Sequence, residues 1–314
     1  MCSCWVAVNY VYLFFPKIPT VLWPWELALI VDTEYVLLSK AAVRARMDKA
    51  ASFPLPLNYI RQEYSNYVSW MAWLSQEQVL ELGCGPGLIS RQVLQPLCEA
   101  HFARLLAVDR ASEAVLYAQQ HSHHRDITYR HVPDLHTSVP VELQGAFSKL
   151  FHYGGALPCS EVSGLRQASL LLDIQGCCVL LLPVRCCLFD VLEQLSSSPR
   201  WKAYMRDAMR LVPPQSHWQE PVEMFRKEAE QAGMEVKNVK LDTTEVTFNS
   251  SSQFQEFLSW AIPFVARIPM ENRQAFLDEA LALSFEQGVQ ITSGGKLQLS
   301  ITLLSTLCTK VRNI

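Results

Sequence analysis

From about residue 57 onward, short apolar runs alternate with stretches in which apolar residues recur every three or four positions, the pattern of strands interleaved with amphipathic helices. A helical pattern at about 58–74 leads into the strand "QVLEL" (78–82), one near 88–99 into "RLLAVD" (104–109), and one near 112–121 into "ITYRHV" (127–132). Then come "FSKLFHY" (147–153) as a fourth strand, a helix near 160–172, and "CCVLLLP" (177–183) as a fifth. Repeated β-α-β units with apolar strands predict a mostly parallel sheet covered by helices on both faces. Right-handed crossovers gather the ligand-facing loops of such a sheet at the carboxyl ends of its strands.

Residues 1–46 break this pattern. They are rich in aromatics, but Pro16, Lys17, Pro19, Pro24 and Glu26 interrupt every apolar stretch before it reaches the ~18 to 20 residues of a membrane span. No positive charge precedes the apolar stretch and no small-residue cleavage site follows it, which argues against a signal peptide. Three readings stay open: a membrane-surface anchor, an extra hydrophobic arm, or translated sequence outside the functional protein. Met47 opens "MDKAASFPLPLNYIRQEYSNYVSWMAWL", a plausible start for a globular domain. The chain is therefore expected to divide into a dispensable or extraneous extension, 1–46, and one domain, 47–314.

Composition narrows the function classes. Hydrophobic residues make up 50% and charged residues 18%, with a net charge of -3, so the domain is globular and has no basic excess for a nucleic-acid partner. Cys177, Cys178, Cys186 and Cys187 sit in or just after an apolar run, and none of the 10 cysteines forms a C-x-x-C pair. They read as reduced thiols of a cytoplasmic protein. "HSHHRD" (121–126) has the look of a metal cluster, but no carboxylate or cysteine pair joins it at ligand spacing. It reads as a solvated helix end, and no metal is expected.

The chain has only 12 glycines, and three of them, Gly83, Gly85 and Gly87, fall in "VLELGCGPG" (79–87), directly after the first strand. Glycine there lets the backbone turn tightly and lets a nucleotide-like ligand approach it. The spacing is G-x-G-x-G, with Leu88 where a dinucleotide binder of the G-x-G-x-x-G type has its third glycine, which argues against NAD. Glu81, two residues before the first glycine, suits a positively charged ligand better than a pyrophosphate. Asp109 ends the second strand, about twenty residues further on, and can accept from two ribose hydroxyls or simply serve the helix that follows.

"VLELGCGPG" resembles motif I of the class I S-adenosylmethionine-dependent methyltransferases. That resemblance implies a Rossmann-like, seven-stranded, mostly parallel sheet with helices on both faces, a helical substrate cap inserted after strand five, and S-adenosyl-L-methionine as cofactor. The cofactor-binding residues it implies are Glu81, Gly83, Cys84, Gly85 and Gly87, Asp109 with Arg110, Asp134 and Leu135 near the adenine, and His152 at the end of strand four.

The later chain resembles the arthropod juvenile hormone acid O-methyltransferases, in "LFDVLEQLSSSPRWKAYMRD" (188–207), "EPVEMFRKEAEQAGMEVKNVKL", "AIPFVARIPMENRQAFLDEAL" (261–281) and "GGKLQLSITLLSTLCTKV". The likeness runs from about residue 57 to the end. It implies cap helices at about 188–232 and 250–288 over a slot for a farnesoic, juvenile hormone or fatty acid, with Gln62 as a substrate-orienting residue. Phe189, Leu192, Leu195, Trp201, Tyr204 and Met205 are spaced as apolar helix faces that could line such a slot or form ordinary core. The chain departs from the family at Ser148, where an Asp is usual, and at Leu157 and Pro158, in place of a His-Trp pair. Three classes of function therefore stay open: a carboxyl methyltransferase, a methyltransferase with another acceptor, and a catalytically silent cofactor-binding protein.

Overall fold

The first three strands pair in parallel: β1 (Gln78–Leu82) is buried from its second residue to its last, β2 (Arg104–Asp109) is buried at its end, and β3 (Ile127–His131), buried only at Ile127 and Tyr129, closes one edge. The computed structural model describes residues 48, 55–133, 138–154 and 163–313. Across these the sheet continues with β4 (Phe147–Tyr153), β5 (Leu172–Cys186), β6 (Met234–Phe248), β7 (Gln290–Ile291) and β8 (Leu297–Lys310). The order is β3-β2-β1-β4-β5-β8-β6, with β7 paired to β8. Pairs β1–β2, β2–β3, β1–β4 and β4–β5 are parallel, and β8 runs antiparallel between β5 and β6. Eight strands replace the expected seven, because the two residues of β7 add a short antiparallel pairing to β8.

Helices cover both faces. On one lie α1 (Leu57–Val68), a helix over 88–100 that contains a π turn at Ser90–Leu94 before its α-helical part α2 (Gln95–Ala100), and α3 (Ser112–His121). Ile60, Tyr64, Val93, Leu94, Val115 and Ala118 pack there on Val79, Phe151 and Val179. On the other face α4 (Ser163–Leu171) and α6 (Pro221–Gln231) pack Leu165, Ala168, Phe225 and Ala229 on Leu80, Leu150, Leu180 and Leu304. Successive strand residues divide between the two clusters, as the period of two requires.

A third core stands at the far end of β6 and β8. Phe248, Leu297 and Leu299 meet Phe189, Leu192 and Leu195 of α5 (Cys187–Ser197), Phe254 and Leu258 of α7 (Ser251–Ala261), and Phe276 and Ala280 of α8 (Met270–Glu286), with Trp201 and Phe264 from the connections. Phe189, Leu192 and Leu195 recur at helical spacing on α5, and Ser250 caps α7 by accepting from the Gln253 N–H at 3.1 Å, so sequence alone favours both helices. Of the stretch 188–232, then, α5 and the segment through Val212 belong to this end core, while α6 packs on the sheet.

Candidate active site

The glycine loop is held from behind by β2. The N–H groups of Gly83 and Cys84 both donate to the Val108 carbonyl, at 2.9 and 3.0 Å, and Gly87 N–H returns to Cys84 O at 2.9 Å. All three glycines have positive φ, +74°, +52° and +83°, a region that carries a steric cost for other residues. The glycines differ in what surrounds them. A Cβ on Gly83 would meet only the His152 ring at 3.8 Å, whereas one on Gly87 would come within 2.8 Å of both Tyr129 Oη and Ser122 Cβ. Gly83 leaves open room above the sheet, while the space at Gly87 is filled by the chain's own α3 and β3.

Asp109 pins this loop. Its Oδ2 accepts from Gly85 N–H and its Oδ1 from Ala111 N–H, both at 2.8 Å, in a side chain that is 2% exposed. Glu81 is buried on β1 and accepts from the Ser90 hydroxyl. Burial pushes its carboxyl up to about 7, with the Ser90 hydrogen bond holding it lower than burial alone would. His152, next to last on β4, pairs with Leu82, and its Nδ1 lies 2.9 Å from the Leu82 carbonyl. Since a carbonyl only accepts, Nδ1 carries the proton and Nε2 the lone pair. Nε2 is buried and makes no hydrogen bond. Burial lowers the imidazole pKa, against the Leu82 bond and the nearby Gly154 backbone, which favour the charged form. The ring is neutral at pH 7.

No protein-family profile matches the chain. It is 23% identical over 232 residues to juvenile hormone acid O-methyltransferase of Drosophila melanogaster, a match covering 71% of this chain and 77% of that protein. Over 56 residues, 18% of this chain and 22% of the other, it is 41% identical to N-demethylindolmycin N-methyltransferase of Streptomyces griseus. The YcgJ protein of Bacillus subtilis shares the fold, with a TM-score of 0.50 at 13% identity over 80% of this chain and 99% of that one. The chain resembles the class I S-adenosylmethionine-dependent methyltransferases.

In this methyltransferase fold Glu81, Gly83, Cys84, Gly85, Gly87, Asp109, Arg110 and His152 all lie at the carboxyl ends of β1, β2 and β4 or in the loops that leave them. The Cys84 thiol is pushed well up by burial and by Asp109 and Glu81, so it is an inert part of the loop. Asp134 and Leu135, like Leu157, Pro158 and residues 1–46, lie outside the described residues. Gln62 is exposed, on the face of α1 opposite Ile60, Tyr64, Tyr67 and Val68. Its neighbour Glu63 is the buried one, with Lys240 Nζ at 2.9 Å, Ser305 Oγ at 2.6 Å, and Tyr67 Oη 3.0 Å from that same Ser305 hydroxyl. This cluster ties α1 to β6 and β8. Ser148 presents a buried hydroxyl without a hydrogen bond on β4.

Within 121–126, His121 Nδ1 stands 3.0 Å from Tyr117 O and His124 pairs with Asp126 at 3.7 Å. Among the described residues no group of three or more metal-ligating side chains is found, and no helix is long and apolar enough to cross a membrane. The seven described cysteines are free thiols.

Proposed function

We propose that this protein transfers a methyl group from S-adenosylmethionine to the carboxylate of a small apolar acid. Support for methyl transfer comes from the two relatives, both named as methyltransferases. Support for an acid acceptor comes from the match to a protein named as an acid O-methyltransferase over most of both chains. The single observation that carries the cofactor reading is the glycine loop pinned by Asp109, with open room at Gly83.

The residues present fit that cofactor. Asp109, at the end of β2 beside the glycine loop, would take the ribose hydroxyls on its carboxylate. Glu81, with its carboxyl at about 7, becomes a full carboxylate beside a cation, because a neighbouring opposite charge favours the ionised form. Asp134 and Leu135 would serve the adenine and Arg110 the ribose side. When bound, the cofactor supplies an electrophilic sulfonium methyl. A carboxylate is ionised at neutral pH and needs no general base to attack it. The protein's part is to hold the acid in line and strip its water, which the apolar end core built by α5, α7 and α8 can supply. On this reading the domain runs from 47 to 314 and that core is its substrate cap.

Titration calorimetry tests the cofactor reading: S-adenosylhomocysteine binds and NAD does not. Binding of NAD alone would replace methyl transfer with nicotinamide chemistry.

A further inference from the structure

On the antiparallel side of the sheet β6 is the outermost strand, and among the described residues no strand pairs with its outer edge. It runs 15 residues, and Glu235, Lys237, Lys240, Leu241, Thr243 and Glu245 along its middle are exposed. A long open edge is a template for another strand, and proteins normally blunt it with lysines and bulges. β6 carries both, in Lys237 and Lys240 and in the bulge between Val236 and Asn238.

The direction of its free backbone groups follows from its pairing with β8. Thr243 stands opposite Thr302 with the two hydroxyls 3.0 Å apart, and its N–H goes to Asp242 Oδ1 at 2.9 Å. Close side chains mark an antiparallel pair that exchanges no backbone bonds, so Thr243 turns its N–H and carbonyl outward, and by alternation Val239, Leu241 and Glu245 do the same. The regular run after the bulge thus presents a row of outward donors and acceptors.

The side chains choose the strand that can use it. The stretch "KNVKLDTTE" (237–245) is charge-complementary to its own reverse. Two antiparallel copies centred on Leu241 set Lys240 against Asp242 and Lys237 against Glu245, each pair occurring twice. Moving the axis by one residue in either direction sets Lys240 against Lys240 or Asp242 against Asp242. Opposite charges facing each other across a strand pair are favourable and like charges unfavourable, so the charges that turn away an arbitrary strand are matched by a second copy of β6. Lys240 Nζ, 2.9 Å from Glu63 and 3.4 Å from its own Asp242, would extend that network across the axis. Leu241, 44% exposed, would meet its own counterpart there.

We propose that the protein forms a two-fold dimer in which the β6 edges of two copies pair antiparallel, centred on Leu241, and join the two sheets into one. The inference stands independently of the cofactor and acceptor readings.

The experiment is sedimentation velocity on the full chain over a concentration series into the tens of micromolar, with carbodiimide cross-linking of a mixture of isotopically heavy and light protein. The wild type should be a dimer, and amide links joining Lys240 to Asp242 or Lys237 to Glu245 should carry one heavy and one light half. Leu241→Pro removes an N–H that faces away from β8, a substitution an edge strand accepts. It and Lys237→Glu, which sets like charges across the interface, should each weaken the dimer at least about tenfold. Adding Glu245→Lys to Lys237→Glu should restore it. Circular dichroism checks folding, and if Leu241→Pro does not fold, the charge exchange and the cross-links decide. A monomeric wild type, as would result if another segment of the chain covered this edge, overturns the proposal. So does a dimer that the single variants leave intact, a double variant as weak as Lys237→Glu alone, or the absence of mixed heavy–light links within 237–245.

Discussion

The carboxylate of Asp109 joins Gly85 to Ala111, taking one backbone N–H on each oxygen at 2.8 Å. One side chain at the end of β2 thus sets both the glycine loop and the start of α3. Hydrogen bonds to a charged group contribute about 1.5–3 kcal/mol, so Asp109→Ala should lower the melting temperature and weaken S-adenosylhomocysteine by at least about tenfold. Asp109→Asn keeps only one acceptor and should fall between. Thermal melts and calorimetric titration of the two variants check the order.

The glycines should separate stability from binding. Gly87→Ala places a methyl 2.8 Å from Tyr129 Oη and Ser122 Cβ at φ +83° and should cost about 2–4 kcal/mol in urea unfolding, from left-handed strain plus overpacking. Gly83→Ala meets nothing nearer than 3.8 Å and should cost only about 1–2 kcal/mol, yet lose cofactor affinity. Equal stability losses at the two sites would contradict the assignment of Gly87 to packing.

Glu81 should leave its mark on stability against pH. Its folded carboxyl is raised from 4.5 to about 7 by burial, so between those values the folded state holds a proton that the unfolded state has released. Stability then falls as pH rises from 4.5 through 7, by about 3 kcal/mol from this group. Glu81→Gln should flatten that slope and be more stable than the wild type at pH 8, while binding the cofactor more weakly. Chemical denaturation at pH 5 and pH 8 measures both slopes.

The end core should be separable from the cofactor site. Trp201 is 1% exposed, donates from Nε1 to Glu279 Oε2 at 2.8 Å, and meets Phe276 edge-on. Trp201→Ala should cost about 3–5 kcal/mol and remove acceptor turnover with S-adenosylhomocysteine binding retained. Unchanged turnover in a folded variant would show that this core is not the acceptor's roof.

The parts of this architecture legible in the sequence are those written in local patterns. The strands "QVLEL", "RLLAVD" and "FSKLFHY" and the helix 112–121 fall at their expected bounds, because apolar runs and periodic helices carry their own signal. The glycine loop and Asp109 were legible from spacing, but Asp109's bonds to Gly85 and Ala111 were not. Glu63 meets Lys240 across 177 positions, a pairing no local pattern encodes. With buried residues at 60, 63, 64, 67 and 68, the helix turns Gln62 outward. Ser90 could have been found as the polar residue three positions past Gly87, on the loop side of the helix. The two-residue β7 is too short to register in any periodicity.

Acceptor chemistry is tested most directly by incubating the full chain with methyl-labelled S-adenosylmethionine and a panel of farnesoic and fatty acids, then treating the products with base. A carboxyl methyl ester is cleaved and releases its label as volatile methanol, and the expected result is such base-labile label, suppressed by S-adenosylhomocysteine. Label that enters only base-stable products from amines or phenols would contradict the carboxylate acceptor.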